Sequence, residues 1–270
     1  MTTRTLHGLA ALEAMFSRTA AEGRSAFLPY FPVGYPSLDE SLEVFTALAA
    51  AGADGFEIGI PFSDPLADGP TIQAATQIAL DNGTNTSTAL EVVRTLRGRG
   101  IDQPMLMFSY LNPLLAYGAE RFVADARAAG ADGLIVPDLP PEEAHHFAGA
   151  CEREGLALVF FLAPTSNTER IQLVARQATG FIYVVSLTGT TGARADLPAD
   201  LTAFIDRVRQ QTDVPLVLGF GISTPAHARR MNGLVDGFIV GSALVRAAQD
   251  GVDAARDLVA SLRAALDGGD

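Results

Sequence analysis

Eight short apolar runs alternate with amphipathic helical patterns along the chain, and this alternation is the feature that most constrains the fold. Strands that are apolar on both faces and separated by helices indicate a parallel sheet covered by helices on both sides. Eight such units in 270 residues predict a closed (β/α)8 TIM barrel, an α/β fold, rather than an open sheet. The predicted strands cover residues 26–33, 55–60, 105–110, 133–137, 157–163, 181–186, 215–220 and 237–241.

A weak internal repeat supports the barrel. The segment AGADG occurs at residues 51–55 and 129–133, and LVDG at 234–237 resembles it. Each lies between a predicted helix and a strand, where Gly ends the helix and Asp-Gly turns the chain. We expect these turns to stabilise the N-terminal face of the barrel. Residues 1–270 are predicted to form a single domain, with an additional N-terminal helix in residues 1–22 that packs across the barrel bottom.

Composition excludes several kinds of chemistry. All 19 basic residues are arginine, so no lysine of this chain can form a Schiff base or hold pyridoxal phosphate. The net charge of −12 argues against a nucleic-acid partner, and no apolar run is long enough to span a membrane. Cys151 is the single cysteine and no histidine ends a predicted strand, so we expect no metal. We expect a cytoplasmic location.

One carboxylate interrupts the second predicted strand. In FEIGI, Phe56, Ile58 and Ile60 share one parity and suit the helix layer, which turns Glu57 and Gly59 toward the lumen. A buried carboxylate is costly unless it is paired or used. A structural Glu57 bonded to the backbone or to an arginine is the alternative, but no predicted strand contains arginine. The pattern therefore favours a functional Glu57 whose pKa is raised by burial.

Two more carboxylates, Asp64 and Asp68, follow in the loop PFSDPLADGP. Asp before Pro or Gly is also ordinary turn chemistry, and this alternative suits Asp64 well. Asp68 is expected at the C-terminal rim, above the strand that carries Glu57, where the active sites of such barrels lie. Tyr183, in the sixth strand, is a third candidate because a buried phenol needs a partner. The alternation does not decide which face of that strand is inward, so a core tyrosine remains open.

Glycines at two neighbouring strand ends predict a phosphate site. Strand seven ends in Gly219-Phe220-Gly221, and strand eight ends in Gly241-Ser242, which opens a helix. Loops after these two strands, with a helix N-terminus, form the recurrent phosphate site of such barrels. The loop SLTGTTGAR after strand six could close over it. The expected chemistry is general acid–base catalysis on a phosphorylated substrate.

These residues resemble the alpha chain family of tryptophan synthase, from about residue 24 to 250. The matching segments are PYFPVGYP, FEIGIPFSDPLADGPTIQAA, MFSYLNPLLAYG, DGLIVPDLPPEEA, FLAPTS, SLTGTTGAR, VLGFGIS and DGFIVGSALV. The resemblance implies a lyase of tryptophan biosynthesis that cleaves indole-3-glycerol phosphate to indole and glyceraldehyde 3-phosphate. It makes Glu57 the acid–base residue and Asp68 the partner of the indole N–H, with Tyr183 close to Glu57.

The resemblance also assigns binding residues. The matches to phosphate-binding positions are Gly192, Gly219, Gly221, Gly241 and Ser242. The matches to pocket walls are Tyr30, Tyr110, Ile135 and Phe220.

A partner is implied as well. The family chain works in an α–β–β–α heterotetramer with a β chain that carries pyridoxal phosphate, so no cofactor is expected on this chain. Pro61, Asp64 and Asn112 would face that partner. Two alternatives remain: a stand-alone indole-releasing lyase of the same family, and a barrel that acts mainly as an allosteric docking subunit.

Overall fold

A closed barrel of eight parallel strands forms the centre of the molecule, as predicted. The structure is a computed structural model, and it describes residues 6–185, 199–219 and 221–268. The strands pair in chain order, and the last closes on the first. They are β1 (Ala26–Pro32), β2 (Phe56–Gly59), β3 (Met105–Phe108), β4 (Gly133–Ile135), β5 (Ala157–Leu162), β6 (Ile182–Val185), β7 (Leu216–Gly219) and β8 (Gly237–Val240).

Twelve α-helices in the described part of the chain surround the barrel. They are α1 (Leu9–Ala21), α2 (Leu38–Ala50), α3 (Pro70–Asp81), α4 (Thr86–Gly98), α5 (Leu111–Tyr117), α6 (Ala119–Ala129), α7 (His145–Glu154), α8 (Thr168–Gln177), α9 (Ala199–Arg209), α10 (Pro225–Met231), α11 (Ser242–Ala247) and α12 (Val252–Leu266). None of the helices that the structure describes is both long and apolar enough to cross a bilayer.

The predicted additional helix is α1, and contacts in it and just before it reach the N-terminal ends of β4 and β6. Just before the helix, the backbone N–H of Gly8 donates to Asp132 at the start of β4, over 2.7 Å. The ring of Phe16 lies edge-on to Phe181, with centroids 6.1 Å apart, just before β6. These contacts place α1 at the end of the barrel opposite the predicted active site.

Side chains alternate between the helix layer and the lumen, as the pattern in β2 predicts. Phe56 of β2 packs edge-on against Phe45 of α2, with ring centroids 6.1 Å apart, so its side chain faces outward. Glu57 therefore faces inward, and its register partner on β1 is Tyr30. The core has two layers, one inside the barrel and one between strands and helices.

The repeated Asp-Gly turns all make the same hydrogen bond at the barrel bottom. In each turn, the aspartate lies just before an even-numbered strand. Its carboxylate accepts a hydrogen bond from a backbone N–H of the preceding odd-numbered strand, over 2.7 to 3.0 Å. Thr179 fills the same position before β6, where its hydroxyl accepts an N–H over 2.8 Å. The pairs are Asp54 with Phe27, Asp132 with Met105, Thr179 with Leu158, and Asp236 with Leu216.

Arginines compensate the buried carboxylates of these turns. Arg24, itself buried, donates to both oxygens of Asp54 over 2.6 and 2.9 Å. Arg97 of α4 donates to Asp132 over 2.5 Å. An unpaired buried charge is strongly destabilising, so each arginine stabilises the turn whose carboxylate it contacts. The prediction that the repeat stabilises the N-terminal face agrees with this arrangement.

Candidate active site

Glu57 lies in the lumen and is almost completely buried, with 1% of its surface exposed. Its Oε1 accepts no hydrogen bond from any residue that the structure describes, so the alternative of a paired structural glutamate finds no support there. Burial raises its pKa well above the usual range, and the nearby Asp68 raises that pKa further. Burial therefore favours the neutral form of Glu57, which can give a proton.

Asp68 lies half-buried in the loop between β2 and α3. Its Oδ2 accepts a hydrogen bond from the Tyr110 hydroxyl over 3.0 Å. Burial raises the pKa of Asp68 to about 6, and the bond from Tyr110 opposes that rise. With this pKa the Asp68 carboxyl is mostly ionised at neutral pH, whereas burial and the Asp68 charge favour the neutral form of Glu57. The two neighbouring carboxyls are thus biased toward different protonation states.

Tyr183 faces the lumen, which decides the question that the strand pattern left open. Its ring stacks on Phe161 of β5, with centroids 4.6 Å apart. Burial raises its pKa well above the usual range, so the phenol stays protonated, and an ionised Glu57 would raise this pKa further. Side chains from β2 and β6, on opposite sides of the barrel, can influence each other only through the lumen.

The predicted pocket-wall residues surround the same space. Tyr30 packs edge-on against Phe108 at 5.4 Å. Ile135, fully buried at the end of β4, pairs in register with Phe108. Phe220 lies outside the described residues. Phe108 was missed by the sequence reasoning, although the alternation along β3 puts it on the inward face with Leu106.

The glycines at the ends of β7 and β8, which are predicted to bind phosphate, also leave room for two tyrosine rings. A Cβ on Gly219 would lie 2.1 Å from the Tyr183 ring, and one on Gly241 would lie 3.2 Å from the Tyr30 ring. Gly241 caps the start of α11, whose first residue, Ser242, is half-buried. Gly221 is exposed and has a positive φ of 85°, which favours glycine. Gly192 lies outside the described residues.

The three predicted interface residues divide into two kinds. Asp64 and Asn112 are exposed, and the Ser63 hydroxyl donates to Asp64 over 2.5 Å. Pro61 is buried within this chain, and its place at an interface stays a prediction. Leu66, two residues beyond Asp64, is 90% exposed, which is unusual for a large apolar side chain.

Metal-ligating side chains do not gather in the described part of the chain. Among residues 6–185, 199–219 and 221–268, no three His, Cys, Asp or Glu side chains lie close enough together to hold a metal ion.

Comparison with known proteins identifies the family. Residues 16–267 match the sequence model of the family described as "Tryptophan synthase alpha chain". The chain belongs to the tryptophan synthase alpha chain family. The alpha reaction of this family is the cleavage of indole-3-glycerol phosphate in tryptophan biosynthesis, so this alpha chain is a lyase.

Individual relatives agree over nearly the full length. The tryptophan synthase alpha chain of Roseiflexus sp. (strain RS-1) is 52% identical over 253 residues, which are 92% of this chain and 97% of the relative. A Mycobacterium tuberculosis tryptophan synthase structure superposes with a TM-score of 0.90 at 38% identity, covering 94% of this chain and 97% of that one. The alpha chain of Legionella pneumophila subsp. pneumophila gives 0.87 at 33% identity, covering 96% and 97%.

Proposed function

We propose that Glu57 and Asp68 carry out the alpha reaction in this chain, with Glu57 as proton donor and acceptor and Asp68 as partner of the indole N–H. The observation that carries the proposal is the buried Glu57 carboxyl, which has an unpaired oxygen in the lumen next to a second carboxyl. Environments that push two neighbouring carboxyls into different protonation states are how proteins assign an acid and a base.

The proton balance of the reaction fits this pair. Neutral Glu57 gives its proton to ring carbon C3, which breaks the aromaticity of the pyrrole ring and places positive charge on the ring nitrogen. Ionised Asp68 accepts the N–H hydrogen bond and stabilises that charge. Glu57, now a carboxylate, takes the proton of the side-chain hydroxyl as the C–C bond breaks. The bonding electrons return to the ring, and indole and glyceraldehyde 3-phosphate leave.

The surrounding residues have supporting roles in this proposal. The neutral Tyr183 phenol is suited to stabilise Glu57 during the interval in which Glu57 is a carboxylate. Tyr30, Tyr110, Ile135 and Phe220 line the space for the indole ring. The phosphate would bind at the rim through Gly192, Gly219, Gly221, Gly241 and Ser242. Backbone N–H groups at Gly221 and at the start of α11 suit an anion.

The partner proposal is a tryptophan synthase β chain that carries pyridoxal phosphate, in an α–β–β–α assembly. This chain has no lysine to hold that cofactor itself. The exposed Asp64, Leu66 and Asn112 support an interface beside the β2–α3 loop. A cytoplasmic location, where the substrate would be made, belongs to the same proposal.

The direct test is indole release from indole-3-glycerol phosphate by the wild-type chain, alone and with a β partner, and by two variants. Glu57→Gln should abolish release while the circular dichroism spectrum stays unchanged, because the amide cannot donate and recover a proton. Asp68→Asn should lose turnover with only a modest change in substrate affinity. Glu152→Gln, at an exposed position on α7, is the matched control and should behave as wild type.

Each alternative has its own outcome in this assay. Release at the wild-type rate by Glu57→Gln would contradict the acid–base role. Loss of substrate binding together with turnover in Asp68→Asn would make Asp68 a binding residue. Full activity without a β partner would favour a stand-alone lyase, and no activity with one would favour a docking subunit.

A further inference from the structure

Tyr110 is fixed to the barrel frame. It lies just after β3 and caps the start of α5, and only 3% of its surface is exposed. On its two sides, the Ser109 N–H donates to the Ile135 carbonyl over 3.1 Å, and the Leu111 N–H donates to the Asp138 carboxylate over 2.8 Å. The Tyr110 ring packs against Phe62, with centroids 5.4 Å apart. Its hydroxyl therefore has a defined position.

That hydroxyl makes two hydrogen bonds to the loop that carries Asp68. It accepts from the Ala67 N–H over 2.9 Å and donates to Asp68 Oδ2 over 3.0 Å. Inside the loop, the Leu66 N–H bonds to Asp64 and the Asp68 N–H bonds to Pro65, and these contacts stay within the loop. The phenol is thus a link between an exposed loop and the rigid end of β3.

We propose that Tyr110 is a positioning residue for Asp68, which fixes the β2–α3 loop so that the carboxylate faces the lumen and keeps that carboxylate ionised. The inference deepens the proposed function and rests on it, because it gives Asp68 the task of accepting the indole N–H. Tyr110 was expected only as a pocket wall, and its donor bond to a residue 42 positions away was not expected.

The charges around Asp68 explain why such a donor is needed. The titratable groups facing it are Glu57 from β2, Tyr30 from β1 and Tyr183 from β6, besides Tyr110, and none of them is cationic. No ion pair to Asp68 occurs between residues that the structure describes. Burial and the Asp68 charge raise the pKa of Tyr110 far above neutrality, with Asp138 adding to the rise, so its hydroxyl remains a donor.

Loss of the Tyr110 hydroxyl should shift the pH dependence of the reaction toward higher pH. The Tyr110 bond lowers the pKa of Asp68, which burial has raised to about 6. Tyr110→Phe removes the bond and keeps most of the ring packing, so the pKa of Asp68 should rise. The acidic limb of the pH profile of kcat/KM, which reports groups of the free enzyme, should then move upward by roughly one pH unit, the scale of one hydrogen bond to a charged group. Below pH 6, turnover relative to that at pH 8 should fall about tenfold.

Tyr117→Phe is the matched control. The Tyr117 hydroxyl also donates to an aspartate, Asp125, over 2.7 Å, but at the far end of α5 and away from the lumen. This variant should keep the wild-type pH profile. Measuring KM and kcat separately adds a readout: Tyr110→Phe should lower kcat at low pH more than it changes KM.

A carbon-13 NMR titration of the Asp68 carboxyl in the free chain, assigned with Asp68→Asn, tests the inference without turnover. A raised midpoint in Tyr110→Phe is expected, and an unchanged midpoint together with an unmoved acidic limb would overturn the proposal. If the wild-type chain releases no indole, the proposed function fails, yet the NMR midpoint still decides whether Tyr110 controls Asp68.

Discussion

Tyrosine rings in the lumen occupy space that glycines on neighbouring strands leave open. Tyr30 lies over Gly59, where an added Cβ would come within 2.6 Å of its hydroxyl, and Tyr183 lies over Gly219 in the same way. Both tyrosines thereby lie in the lumen near Glu57 and Asp68. Packing therefore requires glycine at positions 59 and 219, because a close-packed interior has no room for an extra methyl group.

Gly219→Ala tests this complementarity. Its Cβ would meet the Tyr183 ring, so overpacking should cost about 1–3 kcal/mol of unfolding free energy. A tyrosine displaced by about 1 Å should also lower kcat by roughly a hundredfold. Gly98→Ala, at an exposed helical position with no atom near the new methyl group, should instead stabilise by roughly 0.5 kcal/mol. Urea unfolding and indole release measure both, and a neutral Gly219→Ala would contradict the packing argument.

The orientation of some site residues was predictable from the sequence, and that of others was not. The inward Glu57 was predictable because one polar side chain broke an apolar strand whose other members fixed the parity. The face of Tyr183 was not, because both faces of a parallel barrel strand are apolar. The bond from Tyr110 to Asp68 depends on the path of an irregular loop, which no periodicity encodes.

Elements were predicted better than loops. All eight strands occur where the apolar runs indicated, since each run is buried on both faces. β3 and β4 each end two residues earlier than predicted. In β3 the strand ends at Phe108, and Tyr110 caps α5 because Asp138 takes the first N–H of that helix. The Asp-Gly repeat was recognised in three turns, but Thr179 was not recognised as its fourth member, because a hydroxyl there replaces the carboxylate.

Asp132→Asn tests the turns at the barrel bottom. The substitution leaves Arg97 without its carboxylate and weakens the bonds from Gly8 and Met105, so it should cost about 3 kcal/mol of unfolding free energy. Thr179→Val removes a neutral bond of the same geometry at an exposed turn and should cost about 1 kcal/mol. Equal urea midpoints for the two variants would show that the charge contributes nothing. Indole release at low denaturant should be unaffected in both.

Across the whole molecule, stability and chemistry occupy opposite ends of the barrel. The bottom has charged turns, the buried Arg24 and α1, and the top has Glu57, Asp68, the buried phenols of Tyr30, Tyr110 and Tyr183, and glycine-rich strand ends. Pairing of β8 with β1 brings the two ends of the chain into one sheet, so the tyrosine of the first strand and the glycine after the last meet in the lumen. Because the net charge of −12 does not attract anions, an anionic phosphate would have to be bound by local N–H groups at the rim.

The acid–base role of Glu57 is tested most directly by a crystal structure with an analogue of indole-3-glycerol phosphate whose side chain lacks hydroxyl groups and cannot be cleaved. Ring carbon C3 should lie roughly 3–3.5 Å from the Glu57 carboxyl, the distance of a near-attack geometry. The ring N–H should donate a hydrogen bond to Asp68, and the phosphate should lie at Gly221 and Ser242. An analogue bound elsewhere, or a Glu57 turned away from the ring toward the helix layer, would contradict the acid–base role of Glu57.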